Sequence, residues 1–206
     1  AAGNWTNSSA GTIYGVRLDA GDVQFNGNTV RRIESTSNLS GAVIGVNVEN
    51  ATQAAVTNNT FTQLYTDGGF QYTSYCISWW LWFCLLYDYA PIGSAGYAIA
   101  VNSNSSSPLT VTGNNMDGIG STYYTTGPLI NGRYVYGTYA RVISHTGTGS
   151  FTINNNTIGW VPVSHTTEAN VVSASIFVNN TGIVSPVTGN SISGNTLRGP
   201  EALGPD

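Results

Sequence analysis

The sequence contains no lysine, since all six basic residues are Arg. That excludes Schiff-base chemistry, a lysine general base and lysine isopeptide cross-links. Charge of either sign is sparse, at 8 % of residues with a formal net charge of -4. A basic footprint for nucleic acid is therefore absent, and solubility rests on Asn, Ser, Thr, Gly and Tyr. No apolar run reaches the ~20 residues of a membrane-spanning helix, so no membrane span is expected. Cysteine is limited to Cys76 and Cys84, spaced for one local disulfide in an oxidising compartment, the alternative being two buried thiols. The opening Ala1-Ala2-Gly3-Asn4 has no charged-plus-apolar leader, which reads as a secreted chain after signal-peptide removal. With 206 residues and no break in composition, a single domain is expected over 1–206.

What the chain does have is an internal repeat. Five segments align without gaps: Val23 to Val30, Ala54 to Phe61, Leu109 to Met116, Phe151 to Ile158 and Asn190 to Leu197. In each, an apolar residue (Phe25, Val56, Val111, Ile153, Ile192) is followed three positions later by Asn28, Asn59, Asn114, Asn156 or Asn195. Two residues further comes another apolar residue: Val30, Phe61, Met116, Ile158 or Leu197. A second short strand with period-two alternation precedes each block, as in Val16-Arg17-Leu18 and Val46-Asn47-Val48. Such a unit has no opposite layer on which to bury its apolar face. It becomes stable only when successive units stack and share one interior.

The recurring Asn suits a turn between strands because it tolerates the left-handed conformation, and its amide can bond the equivalent Asn in the units above and below. The position before it is Gly27, Asn58, Gly113, Asn155 or Gly194, the choice expected where φ is positive. The predicted fold class is all-β, a single right-handed parallel β-helix of about five coils. An antiparallel β-sandwich is the competing fold, disfavoured because it needs no single residue type at one phase.

Through these Gly-Asn-Thr and Asn-Asn-Thr turns followed by an apolar residue, the chain resembles the right-handed β-helix proteins of the pectate-lyase-like group, from about Gly15 to Leu197. The resemblance is one of fold only. It implies a range of roles, from polysaccharide lyases and hydrolases to phage tailspikes, adhesins and surface-layer proteins. The Lys-free balance also resembles secreted cell-surface and filament proteins of thermophilic archaea.

Catalysis in that group uses acidic clusters on one strand face, often with calcium, or paired carboxylates with a basic residue. Here Asp19 and Asp22 flank one turn, and Asp67, Asp88, Asp117 and Glu168 fall in separate loops. No carboxylate phase recurs in neighbouring repeats, as paired acids or a calcium site would need. The best basic candidate is Arg141, with His145 nearby and His165 one loop later. Arg is a poor base, and the two His read as turn or surface hydrogen-bonding groups. No catalytic residue, metal site or cofactor is expected.

Two insertions interrupt the repeat. Segment 66–95 carries Trp79, Trp80, Trp82, Phe83 and Tyr87 between the two cysteines and just beyond them. Its apolar surface must be covered by something. The readings, in order, are a self-association surface, a flap over the protein's own side, and a carbohydrate platform. Segment 121–139 reads as a hairpin turning at Asn131-Gly132, packed on the flank or offering a second contact. Residues 1–14 form an N-terminal segment and 199–206 an extended tail, and neither supplies a cap helix, which leaves both ends of the stack open.

Sequons lie at Asn4, Asn7, Asn38, Asn50, Asn58, Asn104, Asn155 and Asn179. Together these features point to a glycosylated extracellular subunit at the cell surface, whose partners are its own copies and covalently attached glycans. A polysaccharide-binding or polysaccharide-cleaving β-helix, including the viral tail or adhesin type, is the alternative.

Overall fold

The structure, a computed structural model, describes residues 5–9, 11–36, 41–66, 71–80, 83–92, 96–121, 129–130, 133–134, 138–164, 173–179 and 189–203. Among these there is no helix, and hence none long and apolar enough to cross a membrane. Strand β1 (Trp5–Asn7) precedes a first repeat of β2 (Gly11–Leu18), β3 (Gly21–Asn26) and β4 (Thr29–Ser35). The second repeat is β5 (Gly41–Val48), β6 (Ala51–Thr57) and β7 (Thr60–Thr66). Strands β8 (Gln71–Trp80) and β9 (Phe83–Ile92) then intervene before the third, β10 (Gly96–Ser103), β11 (Leu109–Thr112) and β12 (Asn115–Gly120). Strands β13 (Leu129–Ile130) and β14 (Arg133–Tyr134) lead to the fourth, β15 (Thr138–His145), β16 (Phe151–Asn154) and β17 (Thr157–Ile158). After β18 (Pro162–Ser164) come the fifth repeat, β19 (Ala174–Val178), β20 (Ser191–Ser193) and β21 (Thr196–Leu197), and a last strand, β22 (Glu201–Leu203).

The three strands of each repeat enter three different parallel sheets, always in the same order. One sheet runs β2-β5-β10-β15-β19, the second β3-β6-β11-β16-β20, and the third β1-β4-β7-β12-β17-β21. The parallel pairing rules out the antiparallel sandwich. Registers are kept from repeat to repeat, so like residues stack in rows. Val16, Val46, Val101, Ile143 and Ile176 form one row. Phe25, Val56, Val111, Ile153 and Ile192 form a second, and Val30, Phe61, Met116, Ile158 and Leu197 a third. One cluster of buried residues draws on all three sheets. The middle members of the rows are inaccessible to solvent, whereas Ile192 and Leu197, in the last described repeat, are about half exposed.

Both insertions leave this frame. Strands β8 and β9 form an antiparallel pair of their own, as do β13 and β14, in which Ile130 faces Arg133 across residues 131–132, outside the described residues. They lie in the two longest intervals between the recurring Asn, which run 31 residues from Asn28 to Asn59, then 55, 42 and 39. The C-terminal segment contributes β22, which pairs in parallel with β18.

The five asparagines form a continuous file of amides. Nδ2 of Asn59 donates to Oδ1 of Asn114 at 3.0 Å, that of Asn114 to Asn156 at 2.9 Å, and that of Asn156 to Asn195 at 2.9 Å. Each Oδ1 also accepts the backbone N–H of the preceding Asn: Asn28 to Asn59 at 2.8 Å, Asn59 to Asn114 at 2.9 Å, Asn114 to Asn156 at 3.0 Å. The second Nδ2 proton reaches back to a carbonyl one repeat earlier, Phe25 for Asn59, Val56 for Asn114 and Val111 for Asn156. Two donors and one acceptor with two lone pairs are thereby satisfied in the interior, which is why a fully buried polar file is tolerated. The residue before each Asn has positive φ: 70° at Gly27, 55° at Asn58, 69° at Gly113, 54° at Asn155 and 63° at Gly194. The strict alternation of Gly and Asn has a steric cause. A Cβ on Gly113 would lie 2.6 Å from Oδ1 of Asn58, and one on Gly194 only 2.2 Å from that of Asn155, so each Asn side chain occupies the room its Gly neighbour leaves.

Candidate functional site

The aromatic insertion is a two-stranded ribbon that pairs with no other strand among the described residues. In its register Tyr75 faces Asp88, Cys76 faces Tyr87, Trp79 faces Cys84 and Trp80 faces Phe83. Cys76 and Cys84 are joined in a disulfide with Cα atoms 5.7 Å apart. An isolated hairpin is marginal in water. Closing a loop with a sequence separation of 8 removes about 2.5 kcal/mol of chain entropy from the open form. Of the five aromatic residues expected to mediate association, Phe83 is 72 % exposed, while Trp79, Trp80 and Tyr87 are placed on the strands by their backbone and Trp82 lies outside the described residues. Around Phe83 the surface is apolar as well, with Tyr75, Ile77, Leu85 and Leu86 all exposed. Phe83, Ile77, Leu85 and Leu86 each keep half or more of their surface exposed.

Exposed large apolar residues occur in only two further places among the described residues: Trp5 at the first end of the stack, and Ile192 and Leu197 at the last. Among the described residues, the exposed large apolar side chains are thus confined to the ribbon and the two ends.

The remaining expected site residues are spread over the molecule. Among the described acids, Asp19 and Glu49 both pair with Arg17, at 3.2 and 2.7 Å, Asp117 accepts the N–H of Trp160 at 2.7 Å, and Glu201 pairs with Arg198 at 2.7 Å. No group of three His, Cys, Asp or Glu able to hold a metal ion occurs among the described residues. Arg141 is stacked 3.7 Å over the ring of Phe177 and 5.0 Å over that of Tyr139, which itself stacks on Tyr97. Asp67, His165 and Glu168 lie outside the described residues.

His145 is inside the protein, not on its surface. Its ring meets that of Phe151 in a tilted contact, its Nε2–H donates to Gly149 O at 3.1 Å, and its Nδ1 is buried with no partner among the described residues. Burial pushes the imidazole below the usual histidine range, partly offset by the bond to Gly149. Protonation would place a second N–H where nothing accepts it. The folded protein therefore binds fewer protons than the unfolded chain, so this group's stabilisation is present above the ordinary histidine value of about 6.5 and declines as pH falls through it. The urea midpoint of the wild type should fall between pH 7 and pH 5, and His145→Phe should flatten that fall. Equal losses in the two proteins would remove His145 as the cause.

Of the sequon asparagines, Asn50, Asn58, Asn104, Asn155 and Asn179 are exposed and Asn7 is half-buried, while Asn4 and Asn38 lie outside the described residues. Asn58 and Asn155 serve the turns, packed against Gly113 and Gly194, and Nδ2 of Asn58 also donates to Asn26 at 3.2 Å. Asn50, Asn104 and Asn179 instead fall in the turn that follows β5, β10 and β19, the same corner of three different repeats. Sequence reasoning found these sequons singly but missed that they share a corner, Asn104 and Asn179 in one row and Asn50 one place later, which depends on insertion lengths that the sequence does not assign to repeats.

The sequence matches no protein-family model, and no curated protein and no solved structure matches it.

Proposed function

We propose that this chain is a structural subunit of an extracellular, glycosylated filament or lattice, built by self-association of copies whose repeats wind as a right-handed parallel β-helix. The helical winding is supported by the fixed cyclic order of strands through three parallel sheets and by the core they share. The observation that carries the functional reading is the distribution of exposed apolar residues on a disulfide-stapled ribbon and at the two open ends. A protein acting alone on a soluble ligand gains nothing from such surfaces, which favour association or aggregation. Contacts between unlike surfaces generate open filaments where their rotation does not close. The corner holding Asn50, Asn104 and Asn179 is suited to glycans. The disulfide fits an oxidising, extracellular location.

Sedimentation over a range of concentrations tests this reading. Growth of species far above the 21.7 kDa chain mass is expected. A single species of monomer size at every concentration would overturn it.

A further inference from the structure

The two ends of the stack are complementary in register. At the last end Asn195 accepts from Asn156 and donates to Ile153 O, but among the described residues its own backbone N–H and second Nδ2 proton bond nothing. At the first end Oδ1 of Asn28 accepts nothing among the described residues. Its Nδ2 turns to Asn26 O, within its own repeat, where Asn59, Asn114, Asn156 and Asn195 reach the carbonyl of the preceding repeat. The donors missing a partner at one end are those that Asn28 lacks at the other.

The apolar rows match as well. A cavity of about 420 Å³ opens at the first end, lined by Trp5, Val16, Phe25, Val30 and Ile33 with Asn28 at its rim. The rows that begin with Phe25 and Val30 end with the half-exposed Ile192 and Leu197. Arg198 would fall in the row of Arg31, but its charge is already matched by Glu201 at 2.7 Å.

We infer that a second copy of this chain docks head to tail, its first repeat continuing the last repeat of the copy before it. Strand β19 pairs with the neighbour's β2, β20 with β3, and β21 with Thr29–Val30 of β4. Asn195 N–H and Nδ2 then donate to Oδ1 of the neighbour's Asn28, whose own Nδ2 is freed to reach Ile192 O. The inference rests on the proposed homopolymer and deepens it by specifying the partner surface and register. Strands of 8, 6 and 7 residues enclose an end face that buries several hundred Å² per copy, approaching the ~800 Å² per partner of a standard interface.

One place is claimed twice. β1 pairs with Ile33–Ser35 of β4, the stretch at which the preceding copy's β22 would arrive. Because β22 extends the pairing of β18, with Glu201 N–H bonded to Val161 O at 2.9 Å, whereas β1 carries Trp5 61 % exposed, β1 is the strand that yields. It acts as a plug that slows docking.

Cysteines at in-register positions test this directly, since Asn26 and Ser193 occupy the first and last places of one row and the native cysteines are already paired. The variant Asn26→Cys with Ser193→Cys should give a ladder of disulfide-linked multimers on a non-reducing gel, and Gln24→Cys with Ser193→Cys should give none. Deletion of residues 1–9 should shorten the lag before polymer appears. If the wild type polymerises but the in-register pair does not cross-link, or both pairs cross-link alike, the head-to-tail register is wrong while the homopolymer stands. If the deletion lengthens the lag or leaves it unchanged, β1 is no plug. If the wild type forms no polymer at all, the homopolymer reading and this inference fail together.

Discussion

Asn114→Leu is expected to destabilise the protein by about 3–5 kcal/mol, a large part of the ~5–15 kcal/mol that holds a domain folded. The two side chains are close in size, so the loss is one of hydrogen bonding. Without the Asn114 amide, the backbone N–H of Asn59, one of its Nδ2 protons and the carbonyl of Val56 are left in the interior with no partner. Each orphaned group costs roughly 1–3 kcal/mol, and water has no path to Asn59 or Asn114, which are both fully buried. Asn28→Leu is the control. Its amide bonds Asn26 O and, at 3.4 Å, Asn59 at the exposed end of the file, so the same substitution should cost about 1 kcal/mol or less. Urea unfolding of the two variants checks this. Equal midpoints would mean that the file contributes nothing specific to its interior.

Replacing Phe83, Leu85 and Leu86 together by Ser should leave the fold intact and suppress assembly. These side chains are 72 %, 61 % and 54 % exposed on a ribbon that pairs with no other strand among the described residues, so the folded monomer has little to lose. Burying a large apolar side chain in a neighbour is worth about 1.5–3 kcal/mol before the costs of association. Three of them together should raise the concentration needed for assembly on the order of 1000-fold, each 1.4 kcal/mol being a factor of ten. Circular dichroism should show unchanged β content, and light scattering should show no polymer at concentrations where the wild type assembles. Loss of the β signal would mean that the ribbon serves the protein's own fold. Unchanged assembly would leave the strand ends as the sole drive.

The repeat was legible because stacking forces like residues into rows. Phe61 and Met116, or Val56 and Val111, share a phase in the sequence because they are neighbours in space. The asparagine file was legible for the same reason, since one residue type at one phase satisfies both its donors and its acceptor only against copies of itself. His145 was not. Nothing in Ser-His-Thr distinguishes a buried ring from an exposed one, and its place in the row of Val48, Ser103 and Val178 appears only once the repeats are in register. Strand β22 was hidden too, because three residues after Gly199-Pro200 carry no periodicity, and their partner β18 lies across the turn from the fourth repeat. The left-handed residues Arg32 and Gln63, at φ of 58° and 59°, were likewise invisible. They stack above Gly118 at 65° as a shared irregularity of the third sheet, and only the Gly advertises it.

The most direct test of the central claim is electron microscopy of the concentrated wild-type protein, with the axial rise per subunit measured from the images. Five repeats stacked at strand spacing span about 24 Å, from roughly 4.8 Å per repeat, so head-to-tail copies should form filaments with that rise and a continuous 4.8 Å layer spacing along the axis. Dispersed particles of monomer size at every concentration would contradict the account.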